Sequence, residues 1–443
     1  MGAPRKQRLL GRPFAIQKKR DDMMKLSLEI GESSQTLEIE SKNLLTVLTL
    51  ENSSRERKVD EREILKQAME NPVGVPRIEE MVGPGKRVAI VVSDNTRPLP
   101  TARILPVVLQ SLEKARVRRE DITILFALGN HKCQSKEEQE RLVGMEIYDR
   151  FRCVDSCVEG YQRLGETSRK TPVILSKTLV EADVRICIGN VEYHYFAGYS
   201  GGAKAVMPGC AARESIQANH SMMVENTAMA GRLEGNPVRE DIEEAVSFCP
   251  IHFLLNVVLD TQKRVIYAAA GHFREAHRCC CRFLDTLYRV PIEKKGDIVI
   301  ASMGGWPKDR NLYQTQKALE NAKYAVKRGG IIILVGSCRE GLGEKTFEEW
   351  MTQAQAPEEL IMRIKREFCL GGHKAAAIAL VMEKANIFMV SELEEDLVKS
   401  IFMRPFRSVQ EAYDEARRQM GEEAQVIVMP YAGSTLPTTL DIS

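Results

Sequence analysis

The chain has 443 residues, a formal net charge of +2 and 44% hydrophobic residues, which is typical of a globular protein with two or three domains. This balanced charge gives no indication of nucleic-acid or anionic-membrane binding, and no run of about 18 apolar residues predicts a transmembrane helix. The 11 cysteines include no CxxC pair that would indicate a zinc site. We therefore expect reduced thiols in a cytoplasmic protein.

The first segment is basic. Residues 1–23 are rich in Lys and Arg but lack the apolar stretch and cleavage site of a signal peptide. We interpret them as a flexible basic leader, or as an extension before a natural start near Met23. Residues 24–50 then alternate apolar and polar side chains, which predicts a β-hairpin.

Three apolar, β-branched segments follow, each ending in a polar loop. They predict strands at 87–92, 121–129 and 184–191, with a helix at 101–116 after the first. Strand–loop–helix units of this kind favour a parallel or mixed α/β sheet. We expect residues 24–270 to form an N-terminal α/β domain.

A helical connector is expected at 271–292. After it, strands and helices are again expected to alternate. Residues 293–430 are expected to form a C-terminal α/β domain, and 431–443 a tail. The expected strands of this domain lie at 296–302, 331–337 and 425–430, and its expected helices at 313–326, 346–366 and 409–420. Ser408 and Glu411 form the capping box that opens the last of these helices.

The predicted fold class is therefore α/β, with two α/β domains, mostly parallel or mixed sheets, and an active-site cleft between the domains. Ligands of open α/β sheets bind at the carboxyl ends of the strands. The polar loops SDNTRPLP (93–100) and GNVEYHYFAGYSGGAK (189–204) follow strands, as do the loops that hold His131 and GGWPKDRN. We expect them to converge on the cleft.

The segment from Gly189 to Gly209 is rich in glycine and tyrosine and holds His194 and Lys204. Glycines at 201 and 202 allow the backbone to approach a ligand closely, and Pro208 is expected to start a helix that runs past His220. A glycine-rich turn with a solvated lysine is the alternative. The segment is neither a Walker loop nor a GxGxxG dinucleotide fingerprint.

This segment resembles the signature of the lactate racemase family, as do SDNTRP (93–98), the GNHK that includes His131, NLYQTQK (311–317) and GLGEKTFEEW (341–350). The resemblance spans roughly residues 24–430. It implies an isomerase, a racemase or epimerase of a lactate-like 2-hydroxy acid. It also implies a covalently attached nickel-pincer nucleotide, the nickel complex of pyridinium-3,5-bisthiocarboxylic acid mononucleotide.

The resemblance assigns roles residue by residue. Lys204 matches the lysine that carries the cofactor, and a lysine amine is a nucleophile only when it is neutral. His220, 16 residues further on, matches the nickel ligand. One imidazole nitrogen with two sulfurs and one carbon of the cofactor gives the planar four-ligand geometry that suits Ni(II). A structural role is the alternative for such a histidine.

His131 and His194 match the catalytic acid–base pair. The implied reaction is reversible hydride transfer through a 2-keto acid, with one histidine removing the hydroxyl proton and a base required on each side of the substrate. Histidine suits this role because its unperturbed pKa lies near 6.5.

Further residues are expected around the cofactor and the substrate. Asp94, Arg97, Tyr199 and Ser200 are expected to bind the cofactor, although Asp94 also fits a helix N-cap. The substrate-binding residues are expected to be Arg97, Gln314 and Lys317. Lys132 follows His131 where the family often has arginine, which leaves malate, a longer 2-hydroxy acid or a sugar acid as possible substrates.

Two alternatives to the isomerase remain. One is an NAD-dependent dehydrogenase, which the missing GxGxxG disfavours, and the other is a non-catalytic small-ligand-binding protein of the same fold. The resemblance also implies functional partners, namely the carboxylase, sulfur transferase and nickel insertase that make the cofactor. No nucleic-acid or membrane partner is expected.

Overall fold

A computed structural model describes residues 16–18, 22–49, 60–260 and 262–439. Most of the predicted leader (1–23) and the end of the predicted tail (440–443) lie outside these residues. None of the helices formed by the described residues has both the length and the apolar character needed to cross a membrane.

Strands and helices alternate along most of the described chain. The strands are β1 (Ile16–Lys18), β2 (Met23–Ile30), β3 (Ser33–Glu40), β4 (Leu44–Val47), β5 (Val88–Ser93), β6 (Ile122–Ala127), β7 (Arg152–Asp155), β8 (Tyr161–Glu166), β9 (Pro172–Ser176), β10 (Val184–Asn190), β11 (Tyr193–His194), β12 (Gly198–Tyr199), β13 (Phe253–Leu259), β14 (Val265–Gly271), β15 (Arg289–Ile292), β16 (Gly296–Ser302), β17 (Val326–Val335), β18 (Ala385–Val390), β19 (Arg404–Phe406), β20 (Val426–Met429) and β21 (Leu436–Thr439). The α-helices are α1 (Glu61–Glu70), α2 (Ile78–Met81), α3 (Thr101–Lys114), α4 (Lys136–Val143), α5 (Met145–Arg150), α6 (Lys177–Val180), α7 (Arg213–Ser221), α8 (Pro237–Ala245), α9 (Phe273–Tyr288), α10 (Leu312–Ala322), α11 (Lys345–Gln353), α12 (Pro357–Arg366), α13 (Gly372–Met382), α14 (Glu395–Ser400) and α15 (Val409–Met420).

The chain forms two compact units. The inserted unit contains the described residues from 60 to 287. The split unit contains the described residues from 16 to 49 together with those from 288 to 439. Each unit has its own hydrophobic core. The strands at 22–49, which the sequence placed in the N-terminal domain, thus pack with the C-terminal half of the chain.

The inserted unit is built on a six-stranded sheet with the order β14-β13-β10-β5-β6-β7. All neighbouring strands are parallel except the β13–β14 pair. Its inner strands β5, β6 and β10 are nearly continuous runs of buried apolar residues, as expected for a sheet covered on both faces. The strands and the helix α3 predicted for this part of the chain are therefore confirmed.

The split unit contains a six-stranded parallel sheet with the order β19-β18-β17-β16-β20-β4. The predicted hairpin is present as β2 and β3, and its apolar side chains pack in the same core as the strands of this sheet. Together the two sheets confirm the predicted α/β fold class.

Four local predictions were wrong in detail. The helix expected at 346–366 is two helices, α11 and α12, because the chain between them is extended and Pro357 starts the second. The connector is helical only as α9, since 289–292 form β15. Part of the expected tail is β21, which pairs with β15. Pro208 precedes rather than starts the helix with His220, because α7 begins at Arg213.

Candidate functional site

The loops singled out in the sequence follow three adjacent strands of the inserted unit. Asp94 follows β5 directly, His131 lies in the loop after β6, and His194 lies just after β10. In the sheet, β5 stands between β10 and β6, so the chain order reverses at β5 and β10. This is the switch point where an open α/β sheet leaves a crevice for ligands.

Asp94 and His131 form a close pair at this edge of the sheet. The carboxylate Oδ2 lies 2.6 Å from the Nδ1 of His131, and Oδ1 accepts a hydrogen bond from the hydroxyl of Thr96 at 2.8 Å. Asp94 is 2% exposed and the His131 side chain 27% exposed. A carboxylate accepts from Nδ1–H, so the basic nitrogen of His131 is Nε2.

The loop that carries Lys204 is held by buried side chains. Gly201 and Gly202 have positive φ angles of 72° and 60°, and a short 3₁₀ turn follows at Gly202–Ala205. Asn256 accepts from the backbone N–H of Gly202 at 2.9 Å, and the Nε2 of His277 lies 2.8 Å from the carbonyl oxygen of Ser200. The lysine therefore sits on a fixed backbone.

The Phe196 ring contacts the side chains of Lys204, His194 and His220. The Lys204 Nζ is 5.8 Å from the centroid of its ring. The ring of His220 is 4.9 Å from the same centroid and that of His194 is 4.5 Å away, both edge to face. The structure thus brings Lys204, His194 and His220 together around one aromatic ring.

Cationic neighbours and burial change the protonation of this cluster. The pKa of Lys204 lies well below its ordinary value because the amine is buried and because Arg239 and Arg97 add positive charge. The pKa of His194 is also well below its ordinary value, first through burial and then through Lys204, His220 and Arg97. In both groups burial and the neighbouring positive charges therefore favour the neutral form more than in an exposed side chain.

Arg239 on α8 is a residue that the sequence did not reveal. It is fully buried, and its guanidinium donates to the carbonyl oxygens of Ala197, at 3.1 Å, and Tyr199. Its Nη1 is buried without a hydrogen-bond partner among the described residues. In the sequence Arg239 reads as one charge among several on an amphipathic helix, so no local signal marks it.

His220 on α7 has a buried hydrogen-bonded support. Its Nδ1 lies 3.0 Å from the Oδ1 of Asn219, and the Nδ2 of Asn219 donates to Asp241 at 2.7 Å and to the carbonyl oxygen of Val238. Because Nδ2 is committed to these acceptors, Oδ1 must accept from His220 Nδ1–H. This hydrogen bond fixes Nδ1 as a donor, so any metal ligation by His220 would use Nε2.

His194 has the opposite arrangement to His131. The backbone N–H of Ala197 donates to its Nδ1 at 3.3 Å, so the neutral ring carries its proton on Nε2. The two candidate acid–base histidines therefore present different forms in the resting protein: a basic Nε2 on His131 and an Nε2–H donor on His194.

Tyr199 and Ser200 have partners within the protein. The hydroxyl of Tyr199 donates to Asp285 at 2.8 Å, and that of Ser200 donates to the carbonyl oxygen of Asn190 at 2.9 Å. These contacts fix the same loop that holds Lys204. Cofactor binding by the two residues stays a prediction.

Gln314 and Lys317 belong to the split unit, where both lie on α10. Gln314 is partly buried and Lys317 exposed. Nearby, the Nζ of Lys374 donates to the carbonyl oxygen of Tyr313 at 2.5 Å and lies 3.7 Å from the centroid of its ring. Burial and then the charge of Lys317 lower the pKa of Lys374 to about 7.

Family models for two domains match the chain. The lactate racemase N-terminal domain matches residues 30–231, and the lactate racemase C-terminal domain matches residues 292–436. Lactate racemase of Thermoanaerobacterium thermosaccharolyticum is 30% identical over 418 residues, which cover 92% of this chain and 98% of the relative. Lactate racemase of Lactiplantibacillus plantarum is 31% identical over 422 residues, with the same coverage of 92% and 98%.

Solved structures agree with these matches. The apoprotein of lactate racemase from Thermoanaerobacterium thermosaccharolyticum superposes with a TM-score of 0.82 at 30% identity, covering 94% of this chain and all of that one. A protein from Thermotoga maritima has a TM-score of 0.57 at 18% identity, over 86% of this chain and 98% of its own, and shares the fold.

Proposed function

Because the chain belongs to the lactate racemase family, we propose that it is a racemase or epimerase of a 2-hydroxy acid. The proposed cofactor is a nickel-pincer nucleotide, carried covalently by Lys204 with His220 as the metal ligand. His131 and His194 are the proposed acid–base residues. The observation that carries the proposal is the grouping of Lys204, His194 and His220 around Phe196.

The residues present fit this cofactor. Burial lowers the pKa of Lys204, which raises the fraction of the amine in its neutral, nucleophilic form, and the positive charges of Arg97 and Arg239 suit a phosphate-bearing nucleotide. His220 would be the protein's ligand to the nickel, with its Nδ1 held by Asn219. When bound, the cofactor supplies a reversible hydride acceptor.

We propose that His131 removes the hydroxyl proton of the substrate. Its Nε2 is basic because Nδ1–H is committed to Asp94 at 2.6 Å, and the buried carboxylate stabilises the imidazolium that forms. The Nε2–H of His194 is a donor to a substrate oxygen. For the opposite enantiomer His194 must shift its proton to Nδ1, which means breaking the 3.3 Å contact with the Ala197 N–H.

The substrate carboxylate needs a cationic partner. Arg97 is exposed in the loop after β5, and its charge acts on both Lys204 and His194, so it lies within electrostatic reach of the cluster. Gln314 and Lys317 share one face of α10 because they are three residues apart. We assign substrate binding to these three residues and cofactor binding to Asp94, Arg97, Tyr199 and Ser200.

The test begins with protein produced in cells that also contain the enzymes that carboxylate the nucleotide, transfer sulfur and insert nickel, the proposed functional partners. Peptide mass spectrometry across Lys204 and metal analysis measure loading. A chiral assay with lactate, malate, a longer 2-hydroxy acid and a sugar acid then measures racemisation. We expect an adduct on Lys204, bound nickel and interconversion of at least one acid.

Lys204→Arg should abolish both the adduct and racemisation, while the control Lys177→Arg, at an exposed lysine, should change neither. If Lys204 stays unmodified and nickel is absent while a known lactate racemase loads in the same cells, the proposed cofactor is wrong. A loaded protein that racemises none of the acids would instead point to a different reaction.

A further inference from the structure

Two thiols lie against each other beside the loop of His131. The Sγ of Cys133 is 3.0 Å from the Sγ of Cys157, which is 24 residues further along the chain. Cys133 is exposed and Cys157 is partly exposed, so small thiol reagents can reach the pair. A disulfide bond is about 2.05 Å long, and closing this one requires a shift of about 1 Å.

The surrounding contacts hold the two cysteines in place. Asp155, the last residue of β7, accepts from the backbone N–H of Gln134 at 2.8 Å and from its side-chain amide at 3.1 Å. The Oε1 of Gln134 in turn accepts from the backbone N–H of Asn95 at 2.9 Å. The neighbours of both thiols are thus already tied together, so a bridge would add little strain.

We propose that Cys133 and Cys157 are a redox-active pair that closes a reversible disulfide and so protects the His131 loop from bulky thiol adducts. The protective role rests on the proposed function, because it assumes that His131 is a base. The disulfide itself does not depend on that function.

The reaction needs an oxidant, and a small-molecule disulfide such as oxidised glutathione suffices. The more exposed Cys133 thiolate attacks it, forming a mixed disulfide and releasing one glutathione thiol. The Cys157 thiolate then attacks the Cys133 sulfur, which forms the Cys133–Cys157 bond and releases the second glutathione. The protein loses two electrons and two protons, and both glutathione molecules leave reduced.

The protective effect follows from size and position. Cys133 is two residues from His131, so a tripeptide held there would crowd the imidazole and its contact with Asp94. The intramolecular bridge replaces that adduct and moves the sulfur atoms by about 1 Å. His131 therefore keeps its position in the bridged protein.

The first test needs no cofactor. The purified protein is incubated with oxidised glutathione, the remaining thiols are alkylated, and peptides are identified by mass spectrometry. We expect wild type to give the cross-linked Cys133–Cys157 peptides, and Cys157→Ser to keep glutathione on Cys133. The control Cys153→Ala, which removes a partly buried thiol on β7, should behave like wild type. A stable glutathione adduct on wild-type Cys133, or a bridge to Cys153, would overturn the proposal.

The second test measures protection in the loaded enzyme. After oxidation, wild type should keep its racemisation rate, whereas the Cys157→Ser adduct should lose about 100-fold, the contribution of a positioned base. Reduction with dithiothreitol should restore the variant. If the bridge forms but wild type and Cys157→Ser lose activity equally, the protective role is refuted. Absence of racemisation in reduced wild type would instead count against the proposed function.

Discussion

Asp94→Asn tests the proposed role of His131 most directly. Asparagine has the shape of aspartate but replaces the charge and one acceptor oxygen with an NH₂ group. The hydroxyl of Thr96 donates to Oδ1, so the amide oxygen is expected to stay there and the NH₂ to face His131. The imidazole must then accept at Nδ1 and carry its proton on Nε2, which removes the base.

The size of the effect follows from the charge pair. The imidazolium that forms when His131 takes a proton has its charge centre about 4 Å from that of a carboxylate held at 2.6 Å, an interaction of about 4 kcal/mol at an effective dielectric constant of 20. Asp94 is 2% exposed, so water cannot replace it. A loss of 4 kcal/mol in the transition state lowers kcat by about 10³-fold.

The assay is racemisation by loaded enzyme, with the Lys204 adduct and nickel content measured in the same samples. Nitrogen NMR of the imidazole supplies an independent readout, because the proton on His131 should move from Nδ1 to Nε2. Thr96→Val is the matched control, since it removes a hydrogen bond to Asp94 but keeps its charge, and it should cost about tenfold at most. A kcat for Asp94→Asn within about threefold of wild type, at equal loading, would refute the reasoning.

Three further predictions concern the supporting residues. The pKa of Lys374 is lowered to about 7, so between about pH 7 and 10.4 the unfolded chain binds a proton that the folded chain does not. The free energy of unfolding of wild type should therefore rise by about 5 kcal/mol across that window. Denaturant unfolding of Lys374→Met should lack this rise, and parallel curves for the two proteins would contradict the prediction. Gly202→Ala should lose about 1–3 kcal/mol in unfolding free energy, because its Cβ would lie 2.8 Å from the His277 ring. Gly85→Ala, with positive φ but nothing within 4 Å, should lose less, and an equal loss would disprove the packing argument. Asn219→Leu should weaken nickel retention about 10- to 100-fold, because it removes the hydrogen bond that supports His220. This prediction is wrong if metal analysis finds the same nickel content in the variant as in wild type while the Lys204 adduct is intact.

The sheet strands and their loops could be predicted because their signals are local. The runs at β5, β6 and β10 are short, apolar and rich in β-branched residues, and each ends in polar residues. Adjacent parallel strands place the following loops at one edge, which explains why Asp94 lies within hydrogen-bonding distance of His131. The order in which the strands pair was the one further fact that the structure had to supply to explain this contact.

Other features depend on distant parts of the chain. β4 pairs with β20, whose residues lie about 380 positions further on, and nothing in the sequence of β4 specifies that partner. Arg239 looks like a solvated helix residue until α8 is packed against the loop at 197–199. The support of His220 by Asn219 and Asp241 likewise joins two helices, so it required the tertiary structure.

The division of one unit between two chain segments has a consequence during protein synthesis. Strand β20 lies between β16 and β4 in its sheet. Strand β4 is therefore the first strand of that sheet to be synthesised, but it cannot pair until β20, the last one, has been synthesised. The inserted unit is complete in the chain much earlier, and domains that emerge first generally fold first. Until the final segment is translated, β4 and the apolar face of the hairpin lack the neighbours that cover them. Nascent chains stalled before Val426 should therefore contain a protease-resistant inserted unit and a protease-sensitive split unit.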